Sequence, residues 1–282
     1  MLNRDDIRRA VATALAEDVG SGDVTTCSIV PPATKASALM QAREPIVVAG
    51  LAFAETAFME LSADVELATC ARDGQRVDRG STLMRASGPA AALLTAERVA
   101  LNFVQRLSGV ATLTAKFVDA VSGTGVQILD TRKTTPGWRR FEKYAVACGG
   151  GRNHRFGLFD MVLIKDNHLS ALRGESPNAI AAAVQRARSA FPKLQIEVEA
   201  DTLEQVEQAL AAGANLVLLD NMSLDELRQA VGLCRGRAKM EASGGVRLST
   251  VRAIAECGVD FISVGALTHS APAVDIGLDF AL

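Results

Sequence analysis

Between Thr131 and Arg155 the chain carries Arg132, Lys133, Arg139, Arg140, Lys143, Arg152, His154 and Arg155 around a single acid, Glu142. The formal net charge of the whole chain is only −2, so this block makes a local positive potential suited to a small polyanion rich in carboxylate or phosphate. A solvated basic face is the bland alternative. It is disfavoured because GGGRNHRFG is glycine-rich and DTRKTTPG follows a strand-like run. His154, between Asn153 and Arg155, is the histidine best placed for chemistry. His168 and His269 read as loop or core residues, and no triad or metal-binding pair emerges.

Asp130, Lys165, Glu199, Asp220 and Glu241 each close an apolar run, where a structural strand would pass into a neutral turn residue. Carboxyl ends of parallel strands converge on one face of an α/β barrel, so these five charges are expected to meet there. Glu199, Asp220 and Glu241 follow one another at intervals of 21 residues, about what one strand, one helix and two tight loops require. Glu199 and Asp220 are suited to binding Mg²⁺, holding ribose hydroxyls or stabilising a developing positive charge. Their structural alternative is ion pairing with Lys165 or Lys239. Ser243-Gly244-Gly245 follows one strand-like run and precedes a helical one, and SVGALTHS, with Gly265 and Ala266, repeats the arrangement after the next. Small residues there let backbone N–H groups approach a phosphate, and two adjacent late loops are a common phosphate grip in barrels.

The elements that must position these groups are legible in the hydropathy pattern. MLNRDDIRRAVATALAEDVG reads as an amphipathic helix with Ile7, Val11, Ala14 and Leu15 inward, stopping near Gly20. Short apolar runs broken by turn signals between Lys35 and Gly88 read as a small sheet. A long helical stretch follows from Pro89 to about Ala120, with a break expected at Ser108-Gly109. After Gly125, the runs VQILD, MVLIK, QIEVE, NLVLLD, KMEA and FISVG alternate with helical segments, the signature of a parallel α/β domain covered on both faces.

The near-neutral net charge gives no global field for nucleic acid or an anionic membrane. The amino terminus matches neither a secretory signal nor a membrane span. Five cysteines, odd in number and without a CxxC or zinc-like pair, favour a reducing cytoplasm.

Eight motifs in order, EDVGSGDVT, AERVALNFVQRLSGVAT, DTRKTTPG, GGGRNHRFGLFD, IKDNH, EVE, LLDN and EASGGV, together resemble quinolinate phosphoribosyltransferase over nearly the whole chain. The resemblance implies an α/β protein: an N-terminal α/β sandwich domain with its linking helix (1–115), then an incomplete, open α/β barrel (116–282) whose tail returns to the first domain. It implies transfer of a phosphoribosyl group from 5-phosphoribosyl 1-diphosphate to quinolinate with decarboxylation, giving nicotinate mononucleotide, diphosphate and CO₂. On the same analogy Arg106, Arg132, His154, Arg155 and Lys165 bind the ring carboxylates, with Thr131 beside them, and Lys133 reaches toward the diphosphate. Glu199 and Asp220 hold the ribose hydroxyls and Mg²⁺, so that Lys133, Glu199 and Asp220 form the expected catalytic set. Ser243, Gly244, Gly245, Gly265 and Ala266 take the 5-phosphate. The implied assembly is a homodimer with Arg106 donated across the interface, a hexamer being left open.

Other readings fit less well. A molybdenum-transport-associated paralogue of the same fold would not need the full basic set. Nicotinate phosphoribosyltransferase would need fewer cations. DGQRVDRGSTLMRASG resembles a biotinyl or lipoyl hairpin, but no lysine occurs between Lys35 and Lys116 to carry the group. A non-catalytic phosphosugar-binding protein would leave the acids unexplained.

Overall fold

Asn3 starts the first helix by accepting the Asp6 N–H at 2.8 Å, which satisfies one of the donors a helix amino terminus leaves orphaned. That helix, α1 (Arg4–Val19), buries Ile7, Val11 and Leu15 and stops at Gly20 with φ +53°, a conformation glycine adopts without a steric penalty. Ala14, expected inward, is half-buried. The computed structural model describes residues 2–234 and 236–281.

After α1 come α2 (Val24–Ile29), β1 (Lys35–Ala42), β2 (Ile46–Val47), α3 (Leu51–Leu61), β3 (Glu66–Thr69), β4 (Arg76–Val77), β5 (Thr82–Pro89) and α4 (Ala90–Ala120). Next are β6 (Gln127–Leu129), α5 (Arg139–Cys148), β7 (Val162–Ile164), α6 (Asp166–Ser170), α7 (Ala179–Ala190), β8 (Ile196–Ala200), α8 (Leu203–Ala211) and β9 (Leu216–Asp220). The chain ends with α9 (Leu224–Cys234), β10 (Lys239–Ser243), α10 (Leu248–Ala255), β11 (Phe261–Ser263), α11 (Ala266–His269) and β12 (Ile276–Ala281). Two compact units result. One holds the chain up to Ala115, Thr135–Gly150 and the segment from Ser270; the other holds Lys116–Thr134 and Gly151–His269.

In the first unit an antiparallel sheet runs in the order β12-β1-β5-β3, beside a β2-β4 pair. Along β1, Ala36, Ala38, Met40 and Ala42 are buried in alternation, so one face of the sheet is covered and the other is not. The final strand, β12, returns to pair with β1. Thr135–Gly150, placed by the sequence in the barrel domain, packs instead with the first unit. Aromatic burial accounts for this: Trp138 stacks on Phe103 at 5.1 Å, and Phe141 meets Phe53 edge-on at 5.1 Å.

Helix α4 runs through Ser108-Gly109 without the expected break. Here glycine serves close approach rather than termination. A Cβ on Gly109 would lie 2.1 Å from the Pro272 carbonyl oxygen, and Ser108 Oγ, buried, accepts the Ala49 N–H at 2.9 Å.

In the second unit six parallel strands run in the order β6-β11-β10-β9-β8-β7. Successive strands from β7 to β11 are neighbours, as in a barrel, but among the described residues no strand pairing joins β6 to β7. The outer edge of β6 instead takes the backbone of Arg152, bridged to Leu129. Ile196, Val198, Val217, Leu219 and Ile262 are fully buried, as strands covered on both faces require.

Candidate active site at the carboxyl ends of the parallel strands

Register sets the depth of each charge. Glu199 of β8 and Glu241 of β10 both pair with Leu218 of β9, whereas Asp220 pairs with Ser243 one layer further out. Glu197 lies one layer deeper, opposite Leu216. A layer is two residues, about 6.6 Å along a strand. Three of the five charges expected at the open end, Lys165, Glu199 and Asp220, retain solvent access there. Asp130 and Glu241 do not. Asp130 is fully buried and its Oδ1 accepts the His154 N–H at 2.8 Å, so it anchors the loop carrying His154 and Arg155.

Lys165, at the N-cap of α6, forms an ion pair with Glu199 Oε2, and the two side chains are 43% and 12% exposed. The structural alternative for Glu199 is thus realised with Lys165, while Lys239 pairs with Asp260. α6 begins directly after Lys165 and runs to Ser170. His168 holds that turn, its Nδ1 accepting the Lys165 N–H at 2.9 Å.

His154 faces inward, not toward the open end. Its Nε2 lies 3.0 Å from Glu197 Oε2 and 3.4 Å from Glu241 Oε2. Its Nδ1 lies 2.8 Å from the Arg155 backbone nitrogen. Both nitrogens therefore face protein groups, Nε2 the two glutamates and Nδ1 the backbone of Arg155. Burial alone would lower the pKa of His154, but the Glu197 and Glu241 carboxylates outweigh it and raise it to about 10. Burial and the neighbouring Glu241 charge push Glu197 up to about 7 against the opposing pull of His154. Arg155 donates to the Met161 carbonyl at 3.2 Å, and burial and Arg132 hold its pKa below the usual arginine value.

The two glycine loops lie side by side because β10 and β11 are neighbours. Gly244 and Gly245 have φ of +95° and +57°. At Gly265 a Cβ would come within 3.1 Å of His269 Nε2 and 3.2 Å of Lys133 Cδ. Lys133 therefore passes over the second loop, and Thr268 Oγ1 ties the strand end to it by donating to the Lys133 carbonyl at 2.7 Å. Thr131 Oγ1 accepts the Lys133 N–H at 3.0 Å. Ala266 begins α11. His269, read from the sequence as a bland loop residue, stands at this loop; its place in SVGALTHS was the available signal.

The basic block is divided. Arg132, Lys133, Arg152, His154 and Arg155 belong to the second unit, whereas Arg139, Arg140 and Lys143 belong to the first. There Arg140 pairs with Asp6, and Lys143 is buried. Arg106 is also engaged within the first unit. Its guanidinium meets Glu142 Oε1 at 2.6 Å and the Ala271 carbonyl at 2.6 Å. Arg98, two turns earlier on α4, is exposed.

His154, Glu197 and Glu241 are the one group of His and acid side chains among the described residues whose ligand atoms all fall within 4.8 Å of one another. Among the described residues, Glu199 and Asp220 belong to no such group. A cavity of about 710 Å³ lined by Asn215, Arg228, Lys239 and Asp260 lies at the opposite, amino-terminal ends of β9 and β10, the end of a barrel that serves stability, not chemistry. No described helix is long and apolar enough to cross a membrane.

Comparison with known proteins bears on this arrangement. Family profiles described as quinolinate phosphoribosyl transferase, N-terminal domain and C-terminal domain, match residues 23–108 and 110–279. The chain is 41% identical over 282 residues to a probable nicotinate-nucleotide pyrophosphorylase [carboxylating] of Bacillus subtilis, covering 100% of this chain and 96% of the relative. It is 44% identical to the nicotinate-nucleotide pyrophosphorylase [carboxylating] of Mycobacterium leprae, covering 98% and 96%. The solved structure of the nicotinate-nucleotide pyrophosphorylase from Francisella tularensis superposes with a TM-score of 0.94 at 39% identity, covering 100% and 98%.

Proposed function

The chain belongs to the quinolinate phosphoribosyltransferase family, and from that premise we propose how its own residues carry the reaction. It is a decarboxylating pentosyltransferase of de novo NAD biosynthesis, joining quinolinate to the phosphoribosyl group of 5-phosphoribosyl 1-diphosphate. The observation that carries the residue assignment is the single open strand end with Lys165, Glu199 and Asp220, beside two glycine loops crossed by Lys133.

Arg132, Arg155 and Lys165 bind the two ring carboxylates, each charge-assisted contact contributing about 1.5–3 kcal/mol. His154 acts behind them by fixing Arg155. Substrate entering the site would compete with Lys165 for Glu199, freeing the acid for the ribose hydroxyls. Asp220 sits one layer further out and serves the same sugar. Both acids stabilise positive character at the anomeric carbon as diphosphate leaves, and Lys133 neutralises the departing charge. The loops Ser243–Gly245 and Gly265-Ala266 receive the 5-phosphate through backbone N–H groups.

Carboxylate oxygens on adjacent strands suit Mg²⁺, which takes oxygen ligands, keeps several waters and draws further ligands from substrate phosphates. With only Glu199 and Asp220 available, the substrate must supply most of the coordination. Bound there, the ion would offset negative charge on the diphosphate. Decarboxylation follows bond formation: alkylating the ring nitrogen makes it cationic and able to stabilise the electron pair left at the adjacent carbon as CO₂ departs, and that carbon then takes up a proton from water to give nicotinate mononucleotide.

The assembly we propose is a homodimer in which α4 offers an arginine to the partner's site. Arg106 would have to abandon buried Glu142 to do so. Arg98, exposed and without a partner among the described residues, is free to.

The test is formation of nicotinate mononucleotide from quinolinate and 5-phosphoribosyl 1-diphosphate with Mg²⁺, beside nicotinate as substrate and beside Lys133→Ala. Product from quinolinate alone, lost in the variant, is expected. Equal turnover in Lys133→Ala would overturn the role given to Lys133.

A further inference from the structure

We infer that Asn221 is a positioning residue that locks the carboxylate of Asp220 and the glycine loop Ser243–Gly245 into one unit. The inference rests on the reading of Asp220 as the sugar-binding acid and of that loop as the phosphate grip. Among the described residues, Asn221 is the one non-glycine residue with positive φ, at +55°. Asparagine tolerates this left-handed conformation better than most residues, and such outliers persist where the surroundings over-determine them.

Three contacts do so here. Asn221 Nδ2 donates to Asp220 Oδ2 at 2.7 Å, leaving Oδ1 without a protein partner among the described residues. The Asn221 N–H donates to the Ser243 carbonyl at 3.0 Å, extending the β9–β10 ladder one residue past the Asp220–Ser243 pair. The loop backbone also packs directly on the amide. A Cβ at Gly244 would lie 2.1 Å from Asn221 Oδ1 and 2.6 Å from Cγ, and Gly244 itself has φ +95°.

The residue type follows from these contacts. Glycine would accept the backbone conformation but offer no donor. Aspartate would keep the shape but set a second carboxylate against Asp220, where like charges repel. An amide is the side chain that holds one oxygen of Asp220 while leaving the other for ligand. The distance between sugar-binding acid and phosphate loop is thereby set before substrate arrives, which is the preorganisation that catalysis needs.

The experiment measures equilibrium binding of 5-phosphoribosyl 1-diphosphate with Mg²⁺, and separately of quinolinate, to the wild-type chain, Asn221→Gly and Asn221→Asp, with Tm recorded for each. Asn221→Gly is expected to weaken binding of the phosphoribosyl donor by about tenfold or more, the scale of a hydrogen bond to a charged group. Quinolinate affinity and Tm should hold. Asn221→Asp should weaken donor binding at least as much. Unchanged donor affinity in Asn221→Gly would overturn the inference, as would an equal loss for both ligands accompanied by a fall in Tm. Turnover of the wild-type chain is read separately: its absence would sink the functional reading, while the binding comparison still decides the role of Asn221.

Discussion

Arg106 and Glu142 form an ion pair at 2.6 Å in which the Glu142 side chain is fully buried and the Arg106 side chain a quarter exposed. The same carboxylate accepts the Thr135 N–H at 3.0 Å and Thr135 Oγ1 at 2.8 Å, but Arg106 supplies the positive charge that pairs with it. Arg106→Ala should therefore lower the unfolding free energy by about 3–5 kcal/mol, the cost of orphaning a buried charge. Arg98→Ala, at an exposed position, should stay within about 0.5 kcal/mol of wild type yet lose turnover. Denaturant titration beside the product assay checks both. Similar unfolding energies for the two variants would contradict this division of roles.

The cluster of His154, Glu197 and Glu241, with Arg155 beside it, predicts a pH dependence of stability. Both shifted pKa values are raised, His154 to about 10 and Glu197 to about 7. The folded chain therefore holds protons that the unfolded chain releases near their ordinary values of 6.5 and 4.5. Their contribution is complete below about pH 4.5, falls through 7 as Glu197 ionises, and is lost as pH rises through 10. Tm of the wild-type chain should drop more between pH 6.5 and 10 than Tm of His154→Gln. Parallel Tm curves would rule the cluster out as the cause.

Gly109→Ala tests the close approach of the C-terminal segment to α4. The new Cβ would meet the Pro272 carbonyl at 2.1 Å, backbone that must move as a whole. An overpacking cost of about 1–3 kcal/mol is expected, although alanine is the better helix former. A gain in Tm would mean that the segment yields freely.

Gly265→Ala should act on binding more than on folding. Its Cβ would press on His269 Nε2 at 3.1 Å and Lys133 Cδ at 3.2 Å, both in flexible side chains, and Gly265 does not have positive φ. KM for 5-phosphoribosyl 1-diphosphate should rise severalfold with Tm unchanged. An unaltered KM would show that Lys133 does not need this path.

Periodicity and motif order, which are properties of neighbouring residues, determined much of this protein without a structure. Apolar runs alternating with helical segments specify a parallel sheet because strands covered on both faces have no polar side to show. Gly20 marked the end of α1, and the eight ordered motifs placed the chain in its family. The strand-end residues Lys165, Glu199 and Asp220 were legible because each is a charge that closes an apolar run.

Only the tertiary structure decided which charges face solvent and which face each other. Glu241 and Asp220 look alike at their 21-residue interval, yet strand register places Asp220 a layer further out and buries Glu241 against His154. Arg106 meets its acid 36 residues later in the chain, and His154 meets Glu197 43 residues away. The basic block between Thr131 and Arg155 was one feature in the sequence and two in the fold, because Trp138 and Phe141 draw its middle into the aromatic core of the first unit. A local pattern fixes the face on which a side chain emerges; how deep it sits and which charge it meets depend on partners that lie far along the chain.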